Sequence, residues 1–197
     1  MLGAMANRSI ETIPAPEDDL CLAFADTRYW RGTASPTDEL REPDDLWRWL
    51  EETAHVPPAV TIRHAKSPAM FQQALAVRET IYRCFAATAG GRPPAEANLA
   101  ALNAALADAP GRQRVSPSGW MIDPSGASAA TLLAPVLWSA ADLLVGKQLA
   151  RVRQCANPEC GWLFLDNSKS ANRRWCSMSA CGNRAKAHRH YLRQKGA

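Results

Sequence analysis

Three observations predict an α+β chain, mostly helical, that ends in a small metal module. Apolar residues recur at helical spacing through much of residues 43–154. Gln113-Arg114-Val115 and Trp120-Met121-Ile122 flank a Ser-Pro-Ser-Gly turn, the pattern of a β-hairpin. Cys155, Cys160, Cys176 and Cys181 form two C-x4-C pairs separated by fifteen residues. Paired cysteines at roughly this separation are the signature of a structural zinc site.

Taken in order, residues 1–18 are polar and carry Pro14 and Pro16, which predicts a loose lead-in. Leu20 to Tyr29 reads as a strand, because Leu20, Leu22 and Phe24 alternate. Pro43 to Glu52 reads as a short helix, with acids in its first turn and Leu46, Trp49 and Leu50 on one face. Pro57-Pro58 interrupts the chain, and Val60 to His64 reads as extended. Ser67-Pro68 opens the clearest helix, with serine as cap and proline in the first turn. Phe71, Leu75, Tyr82 and Phe85 run along it until Gly90-Gly91 stops it. Leu99, Leu102 and Leu106 mark a second helix that ends by Pro110-Gly111. Ser128 to Gln154 carries a long helical pattern, kinked or started at Pro135, which leads straight into Cys155.

The four cysteines also admit disulfides or plain buried thiols. Disulfides need an oxidising compartment, and no signal peptide is visible at the N-terminus. With four thiolates the zinc site is closed, whereas a catalytic zinc keeps a position for water. One structural Zn2+ is therefore expected. A tail of this size buries little core, so the metal supplies much of its folding free energy. Trp162 to Leu165 reads as a strand, Arg173 to Cys176 as a returning strand, and the chain after Cys181 as a helix. That order is treble-clef-like. Trp162, Phe164 and Trp175 fit a minimal core better than a base-stacking surface. Cys21 and Cys84 read as buried core thiols.

The tetrapeptide Cys181-Gly182-Asn183-Arg184 follows Arg173-Arg174-Trp175-Cys176 and, before it, Cys160-Gly161-Trp162-Leu163-Phe164-Leu165-Asp166. This stretch resembles the CGNR zinc finger, which in its family follows an α/β domain called ABATE. Cys21 to Thr27, Trp49-Leu50, Leu102-Asn103 and Asp142-Leu143-Leu144 carry the looser upstream resemblance. It implies an ABATE-like domain over residues 1–150, a finger over 151–197 and a role as a stress-induced transcription regulator.

Charge agrees with such a role. The tail from 151 holds ten Lys/Arg against two acids, a net +8, while the rest of the chain carries −4. A basic tail on an acidic body suggests a polyanion as partner. Arg173, Arg174, Arg184, Lys186, His188, Arg189 and Arg193 are the candidate DNA contacts. Against that stand a merely solvated basic face, a bracing role for Asn183 and Arg184 beside the last ligand, and pairing of Arg173 or Arg174 with Asp166. The alternative function is a zinc-stabilised protein-interaction or RNA-associated module. Asp26, Arg28 and Arg31, read as one strand face, are candidates for a small-molecule effector. Homodimerisation is compatible with a one-finger footprint. Asp26, Arg28, Arg31, His55, His64, Asp123 and Asp142 form no catalytic motif, so no enzyme is expected. No run reaches eighteen apolar residues, so no membrane span is expected, and a cytoplasmic location follows.

Overall fold

The computed structural model describes residues 10–62, 67–126 and 128–195, without the side chains of 188–190 and 192. The predicted α+β class is found. A helical core is joined by a three-stranded sheet and by the cysteine module.

The first helix, α1 (Leu20–Ala25), stands where a strand is expected. Leu20, Cys21, Leu22, Phe24 and Ala25 are all buried. A short segment buried on nearly every side shows no usable period, so the Leu20/Leu22/Phe24 alternation misleads. α1 packs on α4 (Pro68–Ala89) and α7 (Ala134–Val145). The Cys21 N–H donates to Ser139 Oγ at 3.0 Å, tying α1 to α7. The Cys21 and Cys84 thiols are buried in this interior, as expected.

Helix α2 (Pro43–Glu52) spans the segment predicted for it. Val60 instead lies in the helical turn α3 (Pro58–Thr61), started by the prolines, and Arg63 and His64 fall outside the described residues. α4 begins as predicted, with Ser67 accepting from the Met70 N–H at 3.1 Å. α5 (Glu96–Asp108) packs on α4 and buries Leu102. The predicted hairpin is β4 (Arg114–Ser116) and β5 (Gly119–Ile122), and β1 (Glu11–Ile13) adds a third antiparallel strand beyond β5. β1 replaces part of the expected loose lead-in. Ile13 is its anchor, fully buried with Ile122, Ala134 and Trp138.

The long pattern from Ser128 divides. A turn of helix, α6 (Ala129–Leu132), precedes α7, and Pro135 sits in the first turn of α7, where its missing N–H costs nothing. Gly146 ends α7 in an extended conformation. A 3-10 turn (Lys147–Arg151) and a strand, β6 (Val152–Gln154), then lead to Cys155 in place of the predicted continuous helix. β6 pairs antiparallel with β7 (Leu163–Leu165), in register Val152 to Leu165 and Gln154 to Leu163. Val152, Leu163 and Leu165 belong to the main core with Phe24 and Leu137. The module is thus packed into the body through its hairpin.

Candidate metal centre

Cys155 and Cys160 bracket the loop joining β6 to β7. Inside this loop the Cys160 N–H donates to Asn157 O at 3.0 Å, and the Cys155 N–H donates to Trp162 O at 2.8 Å. Gly161 supports the turn at φ +70°, a conformation few side chains tolerate. Cys176 precedes a wide helical turn (Met178–Gly182) that contains Cys181 and continues into α8 (Asn183–Lys195). The Ala156 N–H donates to Arg174 O at 2.8 Å and holds the two halves together. No strand forms at Arg173–Cys176. β7 pairs with β6 instead, so the hairpin embraces the first cysteine pair.

All four sulfurs lie within 4.8 Å of one another. Cys160 to Cys176 is 3.7 Å and Cys176 to Cys181 is 3.8 Å. Zinc–sulfur bonds of roughly 2.3 Å in a tetrahedron give edges of about 3.8 Å, so the thiols fit one zinc ion. All four are free of disulfides, which removes that alternative. Asn157 Nδ2 approaches Cys181 Sγ at 3.7 Å, as an outer-shell donor to a thiolate does. Without metal, two of these thiols resist ionisation. Burial pushes Cys160 up to about 12, and burial together with the neighbouring Cys155 pushes Cys176 up as well. Burial opposes ionisation at Cys181 too, but the Asn157 amide and the other thiols outweigh it and hold its value below the ordinary one. Zinc binding displaces these protons, so affinity falls in acid. The bound ion cross-links the two halves of the module.

Residues of the body hold the first cysteine pair from outside. The Arg31 N–H donates to Cys160 O at 3.3 Å and the Gly32 N–H to Glu159 O at 3.2 Å. Trp30, just before them, is held at φ +56°. Tyr82 donates to Gly161 O at 3.0 Å, and Asp26 Oδ1 accepts from the Leu163 N–H at 3.0 Å. The Arg184 guanidinium lies 4.5 Å above the Trp30 ring. Trp30, Gly32 and Tyr82 are site residues that sequence reasoning missed, since only the fold brings them to the cysteines; Asn157, missed as well, lies between Cys155 and Cys160 in the sequence itself.

The three effector candidates do not share a strand. Asp26 caps α1, Arg28 lies in β2 (Arg28–Tyr29), which pairs with β3 (Thr37–Asp38), and Arg31 follows it. Arg31 makes a bidentate pair with Glu79 at 2.8 and 3.2 Å, and Arg28 reaches the same carboxylate at 3.8 Å. Burial drives the Asp26 carboxyl well above its usual range, although the Leu163 N–H and Arg31 oppose this. A carboxyl raised on folding contributes stability below its unfolded value, and that contribution is lost as pH rises through the folded value. Asp26→Asn keeps an acceptor for Leu163 without the buried charge. With zinc in equal excess for both proteins, the gap between variant and wild type is therefore expected to be smallest in acid. The wild type falls behind as pH rises above the carboxylate range, as denaturant titrations at several pH values can measure.

Of the predicted nucleic-acid contacts, Arg173, Arg174, Arg184, Lys186 and Arg193 are exposed, whereas the side chains of His188 and Arg189 lie outside the described residues. Neither Arg173 nor Arg174 pairs with Asp166 through its guanidinium. Asp166 accepts the backbone N–H of Arg173 at 2.9 Å, and the Arg173 guanidinium donates to the carbonyls of Trp175 and Cys176. Asn183 Nδ2 donates to Ser179 O at 3.3 Å, which braces the turn before α8. Phe164 is buried, and Trp162 and Trp175 are half-buried against the thiols.

A closed tetrahedral cage of four thiols at the start of a helix defines a structural zinc finger. Two family models match the chain. One is ABATE, described as "Putative stress-induced transcription regulator", over residues 18–147, and the other is the CGNR zinc finger over 151–194. The chain belongs to the ABATE family and carries a CGNR zinc finger. No curated protein matches it significantly. No helix among the described residues is long and apolar enough to cross a membrane.

Proposed function

We propose that the protein is a DNA-binding transcription regulator of the cytoplasm, without catalytic activity. The observation that carries this reading is the net +8 of the zinc-bearing tail, against −4 on the rest of the chain. Exposed cations on a rigid metal-fixed module neutralise phosphates and release their counterions. Arg174, Arg184, Lys186 and Arg193 are all exposed on it, and His188 and Arg189 add to its helix in sequence. Arg173 serves the module's own carbonyls first. A single finger has a small footprint, so specific sites call for two copies of the chain.

A small-molecule effector is proposed for the acidic body. Asp26 and Arg31 are engaged internally, which leaves Arg28 as the candidate contact. Its side chain is 39% exposed.

Replacing Arg184, Lys186 and Arg193 together by Ala is expected to weaken duplex binding and flatten its salt dependence, by a log–log slope of about 0.9 per lost phosphate contact. Fluorescence anisotropy measures both. An unchanged affinity overturns the role of α8 and favours the alternative, a zinc-stabilised module that binds protein or RNA.

A further inference from the structure

The finger carries a groove of about 440 Å³ between the first cysteine pair and the start of α8. Asn157, Glu159, Arg174, Trp175 and Arg184 line it. That volume lies within the range of small-ligand sites, roughly 300–1,000 Å³. Its two guanidiniums are set in the same way. Arg174 lies 5.4 Å from the Trp175 ring centroid and Arg184 lies 4.5 Å from that of Trp30. Among the described residues, neither guanidinium has a carboxylate partner or donates a hydrogen bond. A guanidinium stacked on an aromatic ring is oriented while its in-plane N–H donors stay available for phosphate. Trp175 is half-buried, packed against the cysteine cluster, and it also lines the groove. A ring fixed in that way is a stacking platform for a planar ligand.

An aromatic wall, two free guanidiniums and one carboxylate in a single groove match the parts of a nucleotide. The wall takes the base, the guanidiniums take phosphate, and Glu159 offers an acceptor to an exocyclic amine. A duplex keeps its bases stacked on one another and cannot place one against Trp175. We infer that the groove binds one nucleotide unit of an unpaired strand, with the base taking the place of the Arg174 guanidinium over the Trp175 ring and its phosphate on Arg174 and Arg184. The inference builds on the nucleic-acid reading above and specifies the form of strand that the finger takes.

The test uses the zinc-loaded full chain and a labelled mixed-sequence 12-mer, as a single strand and as the matching duplex, in the same salt. The single strand is expected to bind about 10-fold tighter than the duplex. Stacking of one base is worth roughly 1–3 kcal/mol, so Trp175→Leu is expected to lower single-strand affinity by about 5- to 100-fold and to leave duplex affinity nearly unchanged. Because Trp175 touches the thiols, zinc content is measured alongside, and the exposed Arg174→Ala provides a variant that spares the cage. It is expected to lose about 10-fold on the strand. Duplex and strand bound equally, with both variants unaffected, overturns the groove assignment and leaves DNA binding standing. Displacement of the strand by poly-glutamate of equal charge also overturns it, because charge alone then explains binding. Binding to neither nucleic acid removes the broader reading as well.

Discussion

Replacing Cys181 by Ser in the zinc-loaded protein is expected to cost on the order of 5 kcal/mol or more. Structural zinc contributes roughly 10–16 kcal/mol of apparent binding free energy in small finger modules, and a three-thiolate site retains only part of it. For a chain of this size the loss lowers the thermal midpoint by about 10–20 °C. The effect reaches beyond the finger, because Val152, Leu163 and Leu165 lie in the same core as Phe24 and Leu137. Scanning calorimetry is expected to show one transition for the wild type and a broadened, earlier one for the variant. Chelation of the wild type reproduces the variant. A midpoint unchanged by either treatment contradicts a load-carrying role for the metal.

The second large effect is expected from Gly32→Ala. A Cβ at this position would stand 2.0 Å from Pro158 O and 2.9 Å from Glu159 Cα, both backbone atoms. Neither can turn aside as a flexible side chain would. The loop Trp30–Gly32 must therefore withdraw from the first cysteine pair, losing the Arg31 and Gly32 N–H bonds to Cys160 and Glu159. A clash of this kind costs about 1–3 kcal/mol. The site of the loss distinguishes it from a general defect. Zinc release to a chromogenic chelator speeds up, and amide exchange rises at Leu163, while the interior of α4 keeps its protection. A zinc release rate equal to the wild type contradicts the docking described here.

What the sequence shows of this molecule follows from range. The start of α4 at Ser67-Pro68, its stop at Gly90 and the hairpin turn at Pro117-Ser118 are local chemistry, and the structure has them where the residues place them. The four ligands are legible because zinc imposes its own spacing on the chain. Features that depend on distant partners are not. Leu20–Ala25 is surrounded by α4 and α7, and its apolar run fits a helix and a strand equally well. Val152-Arg153-Gln154 trails a helical pattern, and only Leu163–Leu165, beyond the first cysteine pair, gives it a strand partner. Trp30, Gly32 and Tyr82 reach the metal site across long stretches of sequence, so nothing near the cysteines announces them. Arg184 is legible as a cation but not as the cover of Trp30, and Asp26 is legible as a polar group but not as the acceptor that holds β7.

A titration of the zinc-loaded chain onto labelled duplex DNA, followed by anisotropy at low and near-physiological salt, tests the nucleic-acid role most directly. Saturable binding whose affinity falls steeply with salt is the expected result if the net +8 tail acts through phosphate. Absence of binding at low salt would contradict it and leave the finger as a zinc-stabilised surface for another kind of partner.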